Sequence, residues 1–180
     1  MAITDGHIRE TAEDYLDAHP EDKVDLVPLL TLLDEGAKLD SRKEFRGHVT
    51  AGAVLTDGRG QVLMIHHRAL SQWLLPGGHT EPEDTTLQQT ALRELTEETG
   101  MSADDVEAAC PRPLHVDIHT IPANAVKQEP EHRHIDFRFL FRTSGDVGEL
   151  QAEEVTDAEW RDIAFILDPV LRRRISDALR

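Results

Sequence analysis

The chain has 180 residues and a formal net charge of −16, from 35 acidic and 19 basic residues. This length suits one domain with an added segment, and the acidic balance, with no basic stripe to offset it, weighs against long nucleic acids and anionic membranes as partners. No apolar run approaches the roughly eighteen residues of a membrane helix, and we recognise no secretory signal. The sequence has one cysteine, Cys110. We therefore expect a cytoplasmic protein without disulfides.

In chain order, residues 7–35 predict two helices with a break near His19 and Pro20. The first helix is polar, and the second has one apolar side. We therefore expect residues 1–44 to form an N-terminal helical extension that packs on a main domain of residues 45–180. The same helices are the candidate contact of a homodimer.

The main domain opens with a predicted β-hairpin, in which the strands HVTAGAVLT and QVLMIHHR flank the turn DGRG. The segment WLLPGG predicts a short strand that ends in a Pro-Gly-Gly turn. A helix is predicted from Thr85 to Thr99, because Thr85 and Gln88 fit a capping box and Gly100 suits the position just past a helix end. Further strands are expected near 113–120, 134–143 and 155–161, and a last helix over 164–179. This order favours an α/β (α+β) fold with a mixed sheet between helical layers.

The predicted helix over 85–99 carries a cluster of carboxylates. Glu94 and Glu98 are four residues apart, so they share a face, and that face adjoins the apolar stripe of the helix. Like charges at this spacing are unfavourable, and the C-terminal end of the helix dipole disfavours anions further. A bound cation would reverse both effects, and oxygen ligands favour Mg²⁺ or Mn²⁺ over zinc. The alternative interpretation is a solvated acidic face.

The segment from Gly77 to Met101 reads GGHTEPEDTTLQQTALRELTEETGM. It resembles the Nudix signature, in which a glycine, five residues, a glutamate and seven residues precede Arg-Glu-aliphatic-any-Glu-Glu-any-Gly-aliphatic. The second half matches at every fixed position. In the first half, the acidic position counted from Gly78 falls on Asp84, and eight residues separate it from the arginine, which leaves its role open. The resemblance covers about residues 45–165 and implies a Nudix-type α/β/α sandwich.

The resemblance also implies a hydrolase that uses Mg²⁺ or Mn²⁺ to cleave a nucleoside diphosphate linked to another group, by attack of water at phosphorus. Glu94 and Glu98 would be the principal metal ligands, with Glu97 assisting. The carbonyl of Gly78 would contribute to the coordination, and Arg93 would orient a glutamate through a charge-assisted hydrogen bond.

Two sets of residues are assigned less directly. The general base is a glutamate of the signature or one on a later loop, where Glu153 and Glu154 are the candidates and a solvated loop is the alternative. Contacts with a phosphate, a base or a ribose are assigned to side chains outside the signature. These candidate substrate-binding residues are Arg68, Trp73, Lys127, His134 and Arg138.

Histidines and carboxylates recur at every second position of two later strands, so each row lies on one strand face. The rows are His115, Asp117 and His119 on one strand, and His132, His134, Asp136 and Arg138 on the next. Three interpretations are open: a transition-metal site, a wall that recognises the substrate, or a hydrogen-bonded structural network. The residues of such a second metal site would be His115, His119, His132, His134 and Asp136.

Two other function classes are open. A Nudix-fold module that binds a nucleotide without turnover normally lacks the glutamates, which are present here, but the shifted spacing at Asp84 keeps it as an alternative. An enzyme similar to isopentenyl-diphosphate isomerase would need an active-site cysteine on a strand, whereas Cys110 is expected in a loop. Within the Nudix hydrolases the sequence does not select one small phosphoanhydride as the substrate.

Overall fold

The structure is a computed structural model that describes residues 2–57, 59–126, 128–148, 150–151 and 153–180. Its α-helices are α1 (Asp5–Ala18), α2 (Val27–Asp34), α3 (Leu87–Thr99) and α4 (Pro169–Ala178). Its strands are β1 (His48–Thr56), β2 (Gln61–His67), β3 (Gln72–Leu74), β4 (Gly77–His79), β5 (Val106–Ala108), β6 (His115–Ile121), β7 (His132–Thr143) and β8 (Val155–Asp162).

These strands form one mixed sheet in which β1 is central. β1 runs parallel to β7 along its whole length, from His48 opposite His134 to Thr56 opposite Arg142. Along its other edge β1 pairs antiparallel with β4 and, at Thr56, with β2. Strands β5 and β6 pair with β7, and β3 and β8 pair with β2, all antiparallel. The β1–β7 pair therefore brings together residues that are far apart in the chain.

Helices cover both faces of this sheet. Successive side chains of a strand point to opposite faces, so one strand contributes to two hydrophobic cores. Val49 and Ala51 of β1 belong to the core that includes α1, α2 and α3. Val54 belongs to the opposite core, with Leu171 and Ile175 of α4. The expected helix–sheet–helix sandwich is confirmed. None of the helices in the described part of the chain is long and apolar enough to cross a membrane.

The Pro-Gly-Gly segment differs from the prediction. Gly77–His79 forms strand β4 instead of a turn, with Gly78 opposite Ala51 of β1. Both strands of the predicted hairpin are present, but β1 and β2 are paired at Thr56 and Val62 near their connection. The edge of β1 nearer its start is occupied by β4, so the glycines are held within the sheet.

The start of α3 also differs from the prediction, while its end agrees. Thr86 is the N-cap, and its hydroxyl accepts a hydrogen bond from the N–H of Gln89 at 3.1 Å. The hydroxyl of Thr85 instead donates to the Gln89 side chain at 2.7 Å. The capping interactions are therefore displaced by one residue, and the helix begins at Leu87. Gly100 ends it in the left-handed conformation with φ 66°, as the sequence predicted.

The later elements agree with the prediction except in two places. The expected strands are present as β6, β7 and β8, but β5, which pairs with the end of β7, was not predicted. The last helix begins at Pro169 and not near residue 164. The carboxylate of Asp168 caps it by accepting hydrogen bonds from the N–H groups of Val170 and Leu171.

A buried polar group joins the N-terminal helices to α4. The guanidinium of Arg174, whose side chain is 5% exposed, donates to Asp22 at 2.8 Å and to the hydroxyl of Tyr15. It also donates to Nδ1 of His115 at 2.8 Å, so Nε2 of that ring carries the proton toward Asp168, at 3.2 Å. His115 therefore belongs to this structural network, which engages both of its ring nitrogens, and its part in a second metal site stays a prediction.

Candidate active site

Helix α3 is held against the sheet by its apolar stripe, and this fixes the directions of its glutamates. Leu87, Ala91 and Leu95 are fully buried in the core shared with β1. Glu98 lies beside this stripe and is only 3% exposed. Glu97 lies further round the helix and is exposed. The predicted face next to the stripe is therefore turned inward and is not a solvated acidic surface.

Strand β4 allows the glutamates to approach the backbone closely. The N–H of Gly77 donates to Oε2 of Glu98 at 3.0 Å. A Cβ atom at Gly78 would lie 2.6 Å from the carboxylate of Glu94, and one at Gly77 would lie 2.7 Å from the Cα of Gly52. Gly77 requires glycine because backbone atoms fill the space beside it, and a side chain at Gly78 would displace the carboxylate of Glu94. Both glutamates meet the sheet at this strand.

Arg93 organises the outer side of the cluster. Its Nε and Nη2 atoms donate to the two oxygens of Asp84, each at 3.1 Å, which is a bidentate ion pair. Nη2 also donates to the carbonyl of His79 at 2.8 Å. Nη1 lies 3.0 Å from Oε1 of Glu94 and 3.0 Å from Oε2 of Glu97. The arginine thus orients glutamates as the resemblance implied.

Asp84 is buried and hydrogen-bonded, although eight residues and not seven separate it from Arg93. It is 2% exposed and accepts hydrogen bonds from the N–H of Glu81 and the hydroxyl of Thr90, each at 2.9 Å. Burial alone would raise the pKa of Asp84, but its hydrogen bonds, above all those from Arg93, hold it below the ordinary value. Asp84 is therefore an ionised anchor for the arginine.

The two inner glutamates are poorly stabilised as anions. Burial raises the pKa of Glu94 to about 7, although Arg93 opposes the shift. Burial likewise raises the pKa of Glu98 to about 8, against the opposing hydrogen bond from Gly77. Neighbouring carboxylates raise both values further. A divalent cation at this position would favour the ionised forms, so the donor set fits a hard metal ion bound by oxygen.

The loop before β8 brings one more carboxylate to the cluster. The N–H of Gln151 points to the carbonyl of Glu98 at 3.5 Å, and the N–H of Glu154 donates to the carbonyl of Gln151 at 3.1 Å. The negative charge of Glu154 contributes to the raised pKa values of both Glu94 and Glu98. The two loop glutamates selected from the sequence, Glu153 and Glu154, are both exposed, and Glu154 is the one whose charge acts on the inner glutamates.

The candidate substrate contacts are dispersed. Arg68 is exposed, and its N–H donates to the carbonyl of Glu154 at 2.8 Å, so it lies beside the carboxylate cluster. The guanidinium of Arg161 lies 3.7 Å from the centre of the Trp73 ring. This cation–π contact covers one face of the indole, which weakens its assignment as a surface for stacking a base. Lys127 lies outside the described residues.

A model of the NUDIX domain matches residues 46–177 of this chain. The chain belongs to the Nudix hydrolase family. A relative from Lactococcus lactis subsp. cremoris, named a probable DHNTP pyrophosphohydrolase, is 31% identical over 152 residues, which is 82% of this chain and 80% of the relative. An RNA pyrophosphohydrolase from Erythrobacter litoralis is 38% identical over a shorter stretch of 81 residues, 42% of this chain and 49% of that protein.

Solved Nudix structures share the fold. A C. elegans Ap4A hydrolase superimposes with a TM-score of 0.55 at 18% identity, over 73% of this chain and 96% of that chain. The E. coli dihydroneopterin triphosphate pyrophosphohydrolase gives a TM-score of 0.54 at 20% identity, over 72% and 92%. The family resemblance deduced from the signature is therefore confirmed. Cys110 follows β5 in a loop and not on a strand, unlike the cysteine that an isomerase would need.

The predicted histidine rows do lie on neighbouring strands of this Nudix fold, with His119 opposite His134. Several members of the proposed second metal site nevertheless have other partners. His119 contacts Asp117 at 2.8 Å, which raises the pKa of that imidazole, and Arg138 donates to Asp136 at 2.8 Å. His119 and Asp136 are therefore each paired with a neighbouring side chain, and the predicted second metal site of five residues stays a prediction.

Two histidines that the sequence analysis missed lie next to His134. His48 begins β1 and His79 ends β4, and ring centres of both lie 4.9 Å from that of His134. Burial lowers the pKa of His134 to about 3, and nearby imidazoles add to the shift. His79 directly follows the Pro-Gly-Gly segment, and it approaches His48 because β4 pairs with β1. A turn at this segment, as predicted from the sequence, would not pair with β1.

Proposed function

We propose that this Nudix hydrolase cleaves a phosphoanhydride bond in a small anionic metabolite, a nucleoside diphosphate linked to another group, with Mg²⁺ or Mn²⁺ bound at α3. The observation that carries the proposal is the glutamate pair of the buried Glu98 and the partly buried Glu94, whose pKa values lie near 8 and 7 where they meet the glycines of β4. Such a pair is costly as a purely structural feature, since buried like charges repel each other.

Glu94 and Glu98 would be the principal ligands of the cation, with the Gly78 carbonyl and Glu97 completing the set. The cation would neutralise charge on the diphosphate and lower the pKa of a bound water. Arg93 holds Glu94 and Glu97 in position through Nη1 while its other nitrogens are fixed by buried groups. The protein therefore presents carboxylate ligands that are already held in position and does not need to order them during catalysis.

We assign the general base to Glu154. In the proposed reaction a water oxygen bonds to phosphorus, the bond from that phosphorus to the bridging oxygen breaks, and Glu154 accepts a proton from the water. The bridging oxygen leaves with the other product, so both products are phosphorylated. Arg68, adjacent to Glu154 through a backbone hydrogen bond, is the proposed contact for a phosphate of the substrate.

The net charge of −16 supports a small substrate over a long nucleic acid, because a polyanion would be repelled. The L. lactis relative, a probable DHNTP pyrophosphohydrolase, makes dihydroneopterin triphosphate the first compound to test. ADP-ribose, diadenosine tetraphosphate and a 5′-triphosphate RNA form the rest of the panel. The RNA is included because a shorter part of the chain is similar to an RNA pyrophosphohydrolase.

The test is product analysis by mass spectrometry for each compound with Mg²⁺, Mn²⁺ or excess chelator. We expect at least one small phosphoanhydride to be cleaved with either dication, no cleavage in chelator, and slower cleavage of the RNA. Nucleotide binding without turnover under every metal condition would instead identify a binding module. Faster cleavage of the RNA than of every small compound would contradict the proposed substrate class.

A further inference from the structure

Three imidazoles from three strands converge on the sheet: His48 of β1, His79 of β4 and His134 of β7. One ring nitrogen from each lies within 4.8 Å of the other two. Nε2 of His48 and Nε2 of His79 are 3.2 Å apart. Two nitrogen ligands of a tetrahedral zinc ion, each about 2.0–2.1 Å from the metal, lie about 3.3 Å apart. This pair therefore already has the spacing of two ligands of one ion.

The second nitrogen of His48 determines which of its atoms is available for a metal. Its Nδ1 lies 3.3 Å from the backbone carbonyl of Glu44, and a carbonyl can only accept a hydrogen bond. Nδ1 therefore carries the proton in the neutral ring, and the lone pair is on Nε2, which points at His79. A backbone carbonyl that fixes the outer nitrogen in this way is the usual support of a metal-binding histidine.

His134 provides an independent observation. Its Nε2 atom is buried and has no hydrogen-bond partner among the residues that the structure describes. A buried polar nitrogen without a partner costs about 1–3 kcal/mol, so a purely structural hydrogen-bond network would normally satisfy it. A cation between the rings would satisfy this nitrogen together with those of His48 and His79.

We propose that His48, His79 and His134 form a second cation site, distinct from the glutamate cluster, for a transition-metal dication of the zinc type. Imidazole nitrogen favours such ions over Mg²⁺, which prefers oxygen ligands. Three protein ligands leave one tetrahedral position for water or an oxygen of a bound ligand. The third nitrogen lies within 4.8 Å of the other two, so its ring would close onto the ion by a displacement of at most about 1.5 Å.

The surroundings of the three rings fit this assignment. His132 stacks on His48 with ring centres 5.0 Å apart, and its Nδ1 is fixed by the carbonyl of Pro130 at 2.8 Å. His132 also lines a surface cavity of about 380 Å³ together with Phe45 and other residues, so this cavity reaches the ring that stacks on His48. The neighbouring His119 is paired with Asp117 at 2.8 Å, so any positive charge on its ring is compensated beside the site.

The test is a zinc titration of chelator-treated, full-length protein by isothermal calorimetry in a large excess of Mg²⁺, which occupies the oxygen site. We expect one equivalent of Zn²⁺ to bind. His134→Asn and His79→Gln should each weaken zinc binding by at least about a hundredfold, since even supporting residues of metal sites contribute ten- to a hundredfold. The matched control is His67→Gln, a half-buried histidine at the end of β2, which should bind zinc like the wild type.

Glu98→Gln separates this site from the proposed catalytic cation, because it should retain zinc binding while losing hydrolysis. Loss of zinc binding in Glu98→Gln with retention in both histidine variants would overturn the proposal, as would no zinc binding by the wild type. If either histidine variant is misfolded by circular dichroism, imidazole ¹H–¹⁵N spectra of the intact wild type decide. Zinc should then shift the resonances of His48, His79 and His134 but not His67, and any other pattern contradicts the site.

Discussion

Glu98 is a buried carboxylate that is costly to ionise and that we propose as a ligand of the cation. Its carboxylate is 3% exposed, accepts a hydrogen bond from Gly77 and lies near the charges of Glu94 and Glu154. Without a cation the neutral form is favoured, which is why its pKa rises to about 8. Metal binding and proton release are therefore coupled at this residue.

This coupling predicts an unusual pH dependence of stability in the absence of metal. The folded pKa of Glu98, about 8, lies above the ordinary value of 4.5, so the folded state binds more protons between these pH values. The free energy of unfolding contributed by Glu98 must then fall as pH rises through that window. Because histidines titrate in the same range, the measured quantity is the difference between wild type and Glu98→Gln in denaturant titrations with chelator.

We expect the wild type to lose stability relative to Glu98→Gln from pH 5 to pH 8.5. Saturating Mg²⁺ should remove this relative loss in the wild type, because the cation stabilises the ionised carboxylate. Parallel stability curves for the two proteins in chelator would show that Glu98 is not protonated in the folded metal-free state.

The two loop glutamates, Glu153 and Glu154, should differ in their effect on catalysis. Glu154→Gln should lower kcat by about a hundredfold, the lower range for losing a general base, because its charge reaches the two inner glutamates. Glu153→Gln is the matched control and should leave kcat unchanged. Steady-state kinetics with saturating Mg²⁺ measures both. Equal losses in the two variants, or a loss in Glu153→Gln alone, would contradict the assignment of the base.

The sequence predicted individual residues well where a helix period related them. Glu94, Glu98 and the inward direction of their face follow from the spacing on α3 and its apolar stripe. The sequence could not separate Glu153 from Glu154, because a loop has no period that fixes which of two adjacent charges lies nearer the helix. It also missed His48 and His79, whose approach depends on pairing between β1 and β4.

At the scale of elements, the N-terminal helices are not a loosely attached segment. Tyr15, Leu26 and Leu29 are fully buried in the core that includes β1 and α3. The family model starts at residue 46, after both helices. We propose that residues 1–44 are an extension that supports the Nudix domain from one face, with Arg174 as its main polar attachment.

Removal of that attachment should destabilise the protein without changing the active site. Arg174→Gln removes the buried guanidinium that donates to Asp22 and to the Tyr15 hydroxyl. We expect the free energy of unfolding to fall by about 3–5 kcal/mol. The control is Arg173→Gln, an exposed neighbour on the same helix, with little change expected. Chemical denaturation gives the free energies of unfolding, and kcat measured under folding conditions should be similar to wild type. Equal stability of the two variants would contradict this role.

The ends of helices and strands were predicted correctly where neighbouring residues determine them. They were wrong where pairing with a distant strand determines them. Gly100 ends α3 in the left-handed conformation, a local requirement that the sequence displays. The Pro-Gly-Gly segment was predicted as a turn from its composition, yet Gly77–His79 pairs with β1 as a strand. A short glycine-rich strand has little propensity of its own, so its partner determines its conformation.

For the whole molecule, the proposed anionic substrate would need a cation between it and the acidic protein. The net charge of −16 and the convergence of carboxylates at α3 would both repel a diphosphate. The sandwich fold and the family were predictable because the signature combines a helix period with flanking glycines. The parallel register of β1 and β7 was not, because no local pattern specifies which distant residues pair.

The central claim is that Glu98 helps to bind the catalytic dication. Its most direct test is a titration of Mg²⁺ against the rate of hydrolysis for the wild type, Glu98→Gln and the exposed control Glu107→Gln. We expect a kcat about a thousandfold lower in Glu98→Gln at saturating Mg²⁺, about 4 kcal/mol of barrier, with its fold retained and the control unchanged. Near-normal turnover in Glu98→Gln, or turnover in the wild type that chelator does not abolish, would contradict it.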